Sequence, residues 1–214
     1  MLKKVIYFCF LLLSLSCASE SKDSFWFLKK DKDYSRIKSV FNDYIDFFPS
    51  QDQAKCKNYS WSLNSDREYN IKAVFRFPDS TFTNINARIE NDAIVKYPSD
   101  KNCLLVLNRF ATHQNYGYPE KHEIDTNLIN RDCYDNLYPI PNFSNFSKYQ
   151  SNETECKLTK DFTVYVLEAK TGKFLDRNKL TLGTYMPKNW KNGFSKGVAI
   201  SNEREVIIFW VIIW

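Results

Sequence analysis

Apolar residues recur at intervals of three and four between residues 33 and 48, the most regular hydrophobic pattern in the chain. Such spacing places them along one face of an amphipathic helix. The residues on that face are Tyr34, Ile37, Phe41, Tyr44 and Phe48. Pro49 cannot continue a helix and ends the segment. The pattern therefore predicts a helix over 33–48 whose apolar face covers a sheet.

Alternating apolar and polar residues follow this helix and are typical of strands with one buried face. Segments 59–63 and 71–77 alternate in this way, and the polar residues 64–69 between them predict a hairpin. Segments 85–89 and 93–97 flank a polar turn at Asn91-Asp92 and predict a second hairpin. Strands that are joined by such short turns pair antiparallel.

Two nearly continuous apolar runs, 103–110 and 206–214, are typical of strands that are buried on both faces. The second run follows residues 197–201 across a short polar turn, which predicts a closing hairpin. Residues 162–169 are rich in β-branched and aromatic side chains and predict one more strand. Strands are therefore expected to outnumber helices.

These elements assign the fold to the α+β class. We expect one domain over residues 31–214, since a domain usually contains about 100–200 residues. Its centre is a mostly antiparallel sheet, with the helix over 33–48 packed on one face. A β-sandwich, which is also built from antiparallel strands, is the alternative architecture.

Residues 111–160 show little periodicity, and an irregular stretch of this length is often functional. It contains both histidines of the chain, His113 and His122. Either histidine, paired with a carboxylate, would suit an exported hydrolase, which is the alternative function. Their spacing matches no metal-ligand template, however, and exposed loop histidines are the commoner case. We therefore expect no metal site and no cofactor.

Aromatic side chains on the two longest loops are the candidate binding residues. Tyr116, Tyr118 and Tyr138 lie in the irregular stretch, and Trp190 lies in a second loop. Aromatic residues make up 16% of the chain, but the abundance of Asn, Lys and Ile indicates a coding bias, so composition alone does not identify sugar binding. The expected partner is another envelope protein or a glycan.

The amino-terminal residues have the pattern of a secretory signal. Lys3 and Lys4 precede an apolar run over residues 5–13, and Leu15-Ser16-Cys17 follows. A charged start, an apolar core of about 7–15 residues and small residues at its end define such a signal. A membrane-spanning helix needs about 20 apolar residues, roughly twice the length of this run. The segment is therefore expected to be removed.

Leu15-Ser16-Cys17 resembles the lipobox of bacterial lipoproteins, which are cut before a cysteine that carries a diacylglyceryl group. The resemblance implies a signal peptide over 1–16, a palmitate-type lipid anchor on Cys17 and a tether over 17–30. Ser14 departs from the family, which usually has an aliphatic residue there. The alternative is ordinary cleavage after Ala18, which would release a soluble secreted protein. We favour the lipobox, because a cysteine directly after the apolar core is otherwise unusual.

Export also changes the interpretation of the other cysteines. The domain contains four of them: Cys56, Cys103, Cys133 and Cys156. An even number in an exported protein predicts two disulfides, with free buried thiols as the alternative, and the absence of a Cys-x-x-Cys motif argues against zinc. Of the three connectivities, we predict Cys133–Cys156, which would pin the irregular stretch. Cys56–Cys103 is then the second bridge.

Charge and motifs narrow the function further. Loss of Lys3 and Lys4 with the signal leaves 28 basic against 25 acidic residues, and the two signs are interspersed. This pattern argues against a nucleic-acid partner. The chain has five glycines and neither a serine-hydrolase nor a metalloprotease motif. We therefore predict a lipid-anchored protein of the cell envelope, facing the periplasm or the surface, that binds a partner without catalysis.

Overall fold

The computed structural model describes residues 41–49, 55–62, 69–107, 109, 131–174 and 186–214. The chain divides into two compact units, Met1–Asp46 and Phe47–Trp214. The described part of the first unit holds a short 3-10 helix over Asn42–Ile45. Most of the helix predicted over 33–48 lies outside the described residues, so its packing on the sheet remains a prediction.

Six strands of the second unit form one sheet in the order β1-β2-β6-β5-β4-β3, and every neighbouring pair is antiparallel. The strands are β1 Lys55–Ser62, β2 Tyr69–Arg76, β3 Val95–Pro98, β4 Thr163–Thr171, β5 Gly193–Ser201 and β6 Val206–Ile213. The predicted antiparallel sheet is confirmed. The strands predicted near residues 59–63, 71–77 and 162–169 correspond to β1, β2 and β4.

Strand β6 lies at the centre of the sheet, and all its side chains are buried. Ile208, Trp210 and Ile212 pack into a core that the loops share with one face of the sheet. On the opposite face, the ring of Phe209 contacts the ring of Phe75 at a centroid distance of 5.5 Å. Burial on both faces explains the continuous apolar run. The predicted closing hairpin is confirmed as β5 and β6.

The second predicted hairpin is wrong, because residues 79–92 form a helix, α1 Asp79–Asp92. Pro78 directly precedes α1, and proline is favoured at helix starts. Phe82 and Ile89 are the buried residues of α1, and their spacing of two helical turns places them on one face. Only β3 forms where the second strand of that hairpin was predicted, and β3 pairs with β4 instead.

The strand predicted over 103–110 is also wrong. Residues 103–107 are buried, but they form a loop with a single parallel bridge between Val106 and Ile140. The main-chain N–H of Leu107 donates to the oxygen of Ile140, and that of Ile140 donates to the oxygen of Leu105 (both 2.9 Å). This stretch is therefore apolar because it is a buried loop paired with a second loop, rather than a strand of the sheet.

The described part of the irregular stretch, residues 131–160, packs as a layer of loops against the sheet. It contains two short 3-10 helices, Asp132–Tyr134 and Ser147–Tyr149. Its buried aromatic residues belong to the same core as the even-numbered residues of β6: Tyr134, Phe143, Phe146 and Tyr149. Hydrophobic burial, rather than regular backbone pairing, holds this layer in place.

The predicted disulfide connectivity is wrong. Cys103 is bonded to Cys133, with their Cα atoms 6.4 Å apart, so neither Cys133–Cys156 nor Cys56–Cys103 forms. Cys156 is a free thiol at 0% exposure, within 3.6 Å of the main-chain oxygen of Ser99. Burial raises the pKa of Cys156 to about 11. Cys156 therefore packs as a small apolar residue and takes no part in the disulfide. The side chain of Cys56 lies outside the described atoms.

Candidate functional site

A cleft of about 210 Å³ opens between two loops of the second unit. One wall is the 3-10 helix Asp132–Tyr134 with its flanking residues, and the other is the 3-10 helix Lys188–Trp190. Tyr134 contributes apolar surface to the first wall, and Pro187 contributes apolar surface to the second. The remaining lining residues are Arg131, Asp132, Asp135, Asn136, Asn189 and Trp190. We refer to this site as the Trp190 cleft.

Trp190 is held in the cleft by contacts to two other aromatic residues. Its ring lies 6.1 Å from the ring of Trp214 and 6.4 Å from the ring of Tyr138 (centroid distances). The indole Nε1 of Trp214 donates to the main-chain oxygen of Trp190 at 2.8 Å. The ring of Trp214 needs Gly193 beside it, because a Cβ atom at that position would lie 2.7 Å from a ring carbon.

Glu155 connects the opposite wall to the loop at residue 104. Its Oε1 pairs with Arg131 and with Arg109 (2.9 Å from Nη2), and its Oε2 accepts the main-chain N–H of Leu104 at 2.7 Å. The hydrogen bond with Glu155 raises the pKa of the Arg131 guanidinium. Arg131 also lies over the ring of Tyr134, whose hydroxyl accepts a hydrogen bond from Arg109. The Glu155 carboxylate thus holds Arg131 of this wall in a fixed position relative to Leu104.

The disulfide ties the same two segments together covalently. Cys133 lies between Asp132 and Tyr134 of the cleft wall, and its partner Cys103 directly precedes Leu104. Two independent connections, one covalent and one ionic, therefore link the wall to the loop at 103–104. A wall that is fixed before a ligand arrives loses little conformational entropy on binding.

The rim of the cleft is polar and exposed. Asp132, Asp135, Asn136 and Asn189 are all exposed, and Asn136 has a φ of +64°. Asparagine adopts this left-handed conformation more readily than most residues do. Neither aspartate has an ion-pair partner in the part of the chain that the structure describes. Their carboxylates are therefore accessible to a ligand.

The structure brings together two of the aromatic residues chosen from sequence. Trp190 lines the cleft, and the ring of Tyr138 contacts the ring of Trp190. Tyr116, Tyr118, His113, His122 and Cys17 lie outside the described residues. The polar rim was missed, because exposed Asp and Asn side chains in loops carry no periodic signal. The one sequence feature that could have indicated this rim is that Asp132, Asp135 and Asn136 lie within three positions of Cys133.

Within the described ranges, no group of three or more His, Cys, Asp or Glu residues is arranged to hold a metal ion. No helix in these ranges has the length and apolar character needed to cross a bilayer.

No protein-family model, curated protein or solved structure matches this chain. Its function is therefore inferred from its own residues and their geometry.

Proposed function

We propose that this chain is an exported protein of the bacterial cell envelope, lipid-anchored at Cys17, that binds a ligand through the Trp190 cleft without catalysis. The observation that carries the proposal is the aromatic wall. Trp190 is supported by Trp214 and Tyr138 and faces a rim of exposed carboxylates and amides. Aromatic anchors surrounded by polar groups are characteristic of recognition surfaces.

Export is supported by two separate features of the chain. The charged start, the apolar run over 5–13 and the lipobox-like Leu15-Ser16-Cys17 have the order of a lipoprotein signal. The disulfide between Cys103 and Cys133 is the second, because such bonds persist in oxidising compartments and are rare in the cytosol. A cysteine with two or more acyl chains binds a membrane stably, whereas one chain does so only marginally.

Mass spectrometry of the protein from its native host tests the anchor. We expect a mature chain that starts at Cys17, carries a diacylglyceryl group and fractionates with membranes. Cys17→Ala should remain unprocessed, because the lipid-modified cysteine directs cleavage. An unmodified chain starting at Ser19 would instead support the secreted alternative. A cytosolic chain that retains Met1 would contradict export altogether.

Site-specific photocrosslinking in intact cells tests the cleft. A photoreactive residue at Asn189, which is exposed on the rim, should form a discrete adduct on irradiation. The matched control carries the same group at Asn91, which is exposed near the end of α1. We expect the adduct only at position 189. Indistinguishable products at the two positions would contradict a binding role for the cleft.

A further inference from the structure

The Trp190 cleft offers both hydrogen-bond donors and hydrogen-bond acceptors. The amides of Asn136 and Asn189 both donate and accept, the carboxylates of Asp132 and Asp135 accept, and the guanidinium of Arg131 donates. A hydroxyl group also donates and accepts. A ligand with several neighbouring hydroxyls would therefore satisfy this set better than a ligand that only donates or only accepts.

The aromatic wall suits a ligand with an apolar face. Trp190 is partly exposed, and its position is fixed by the rings of Trp214 and Tyr138. The C–H face of a sugar ring is apolar, whereas its edge carries hydroxyls. A single molecule can thus cover the indole and still present its hydroxyls to the rim.

The size and the charge of the cleft narrow the ligand further. A volume of about 210 Å³ is below the roughly 300–1,000 Å³ of pockets that enclose drug-sized ligands. The cleft therefore fits one ring of a larger molecule. Its lining carries two carboxylates and one guanidinium, and that guanidinium already pairs with Glu155. Anionic sugars are disfavoured, whereas neutral sugars and amino sugars are not.

From these features we infer that the Trp190 cleft binds the terminal neutral or amino sugar of a glycan. The sugar ring stacks on Trp190, and its hydroxyls bond to Asn136, Asn189 and the nearby carboxylates. The inference rests on the proposed binding function and specifies the ligand. A cationic peptide side chain is the competing ligand, because it would also contact an indole and carboxylates. It has no use for the two amides as donors, which favours the glycan.

Saturation-transfer NMR on the full-length protein in detergent micelles tests this inference. The probes are the methyl glycosides of mannose, galactose and N-acetylglucosamine, together with glucosamine and Nα-acetyl-lysine amide. We expect at least one sugar to bind with a Kd of about 1 mM or tighter. The lysine derivative should bind more weakly.

Variants assign that binding to the cleft. Trp190→Ala should weaken sugar binding at least tenfold by removing the stacking surface. Because this change also removes packing against Trp214, Asn189→Ala serves as a second variant on the exposed rim and should weaken binding severalfold. Asn91→Ala, an equally small change of an exposed amide on α1, should leave binding unchanged.

The outcomes separate the ligand class from the proposed function. If no sugar binds while the position-189 adduct still forms in cells, the glycan inference is wrong and the binding function stands. Binding of the lysine derivative alone would replace the glycan with a cationic peptide. Sugar binding that both cleft variants leave intact would place the sugar elsewhere and overturn the inference. The absence of both sugar binding and the adduct would overturn both proposals.

Discussion

The indole N–H of Trp214 donates a hydrogen bond to the main-chain oxygen of Trp190, 2.8 Å away. Trp214 itself pairs with Gly193 of β5 through two main-chain hydrogen bonds and is 1% exposed. This hydrogen bond therefore ties the main chain at Trp190 to a residue that pairs with the sheet. This relationship makes the geometry of the cleft depend on the core.

Trp214→Phe should destabilise the protein by more than the loss of ring volume alone. The substitution removes the indole donor and leaves the oxygen of Trp190 without it, at a cost of about 1–3 kcal/mol. The loss is measurable as a decrease in the free energy of unfolding in urea. Ligand binding at Trp190 should weaken as well.

Trp210→Phe is the matched control for this prediction. Trp210 is fully buried, and its indole N–H has no hydrogen-bond partner among the described residues. Both substitutions remove the same volume from a buried site, but only Trp214→Phe removes a hydrogen bond, so its loss of stability should be the larger one. Equal losses of stability in the two variants would show that this bond contributes little.

Glu155→Gln should loosen the wall of the cleft that carries Arg131. The charged carboxylate bonds to Arg131, to Arg109 and to the N–H of Leu104, and it is 21% exposed. Removing its charge should cost about 1–3 kcal/mol. Hydrogen exchange should also become faster at the main-chain amides of residues 131–137.

Glu153→Gln is a control of the same residue type two positions away. Glu153 pairs with Lys160, and both side chains are mostly exposed, at 72% and 61%. An exposed pair of this kind contributes little to stability, so Glu153→Gln should leave both stability and exchange nearly unchanged. Unchanged exchange at 131–137 in the Glu155 variant would argue against its positioning role.

The sequence was most informative where a strand needed apolar residues on both of its faces. Nine consecutive apolar residues at 206–214 predicted a central strand, because a strand covered on both sides buries all of them. Helix α1 was missed for the opposite reason. Ile85, Ala87 and Ile89 alternate with polar residues as in a strand, although Phe82 and Ile89 also lie on one helical face.

The cleft was harder to predict than the sheet, because its walls come from distant parts of the chain. Asp135 and Asn189 line the same site but are separated by more than fifty positions of sequence. Their pairing depends on how two loops pack, and no local pattern encodes it. Trp190 was identified only because a large aromatic residue in a polar loop is a typical binding residue.

The disulfide should stabilise the fold by closing a loop between Cys103 and Cys133, which are 30 positions apart. In the loop-entropy model a closure of this length contributes about 3–4 kcal/mol. The Cys103→Ser/Cys133→Ser double variant should lose stability of that order. Adding a reductant should lower the urea midpoint of the wild type but not that of the double variant.

Cys156 provides the contrast to this bridge. Its thiol is fully buried, and the raised pKa keeps it protonated at neutral pH. Iodoacetamide should therefore label it only after denaturation. Peptide mapping without reduction should recover Cys103 linked to Cys133. Recovery of a Cys133–Cys156 peptide would contradict the structure.

Asp161 should make the stability of the protein depend on pH in the acid range. Burial alone would raise the pKa of its carboxyl, but hydrogen bonds from Arg204 (2.8 Å) and Ser201 (2.5 Å) outweigh burial and hold the pKa well below its usual range. In the unfolded chain the carboxyl of an aspartate has a pKa of about 3.9, so the unfolded state takes up the proton at a higher pH than the native state does. The contribution of Asp161 is therefore complete at neutral pH and is lost progressively below about pH 4.

Asp161→Asn removes this dependence by removing the charge. At neutral pH the variant should lose about 1.5–3 kcal/mol, the usual contribution of hydrogen bonds to a charged group. Below about pH 4 its unfolding free energy should fall less steeply than that of the wild type. The variant lacks the one carboxyl group at position 161 that binds a proton more readily in the unfolded state than in the native state. Asp92→Asn, which changes an exposed residue at the end of α1, should keep the wild-type slope. If the Asp161 and Asp92 variants have the same slope, the bonds from Arg204 and Ser201 do not couple folding to pH.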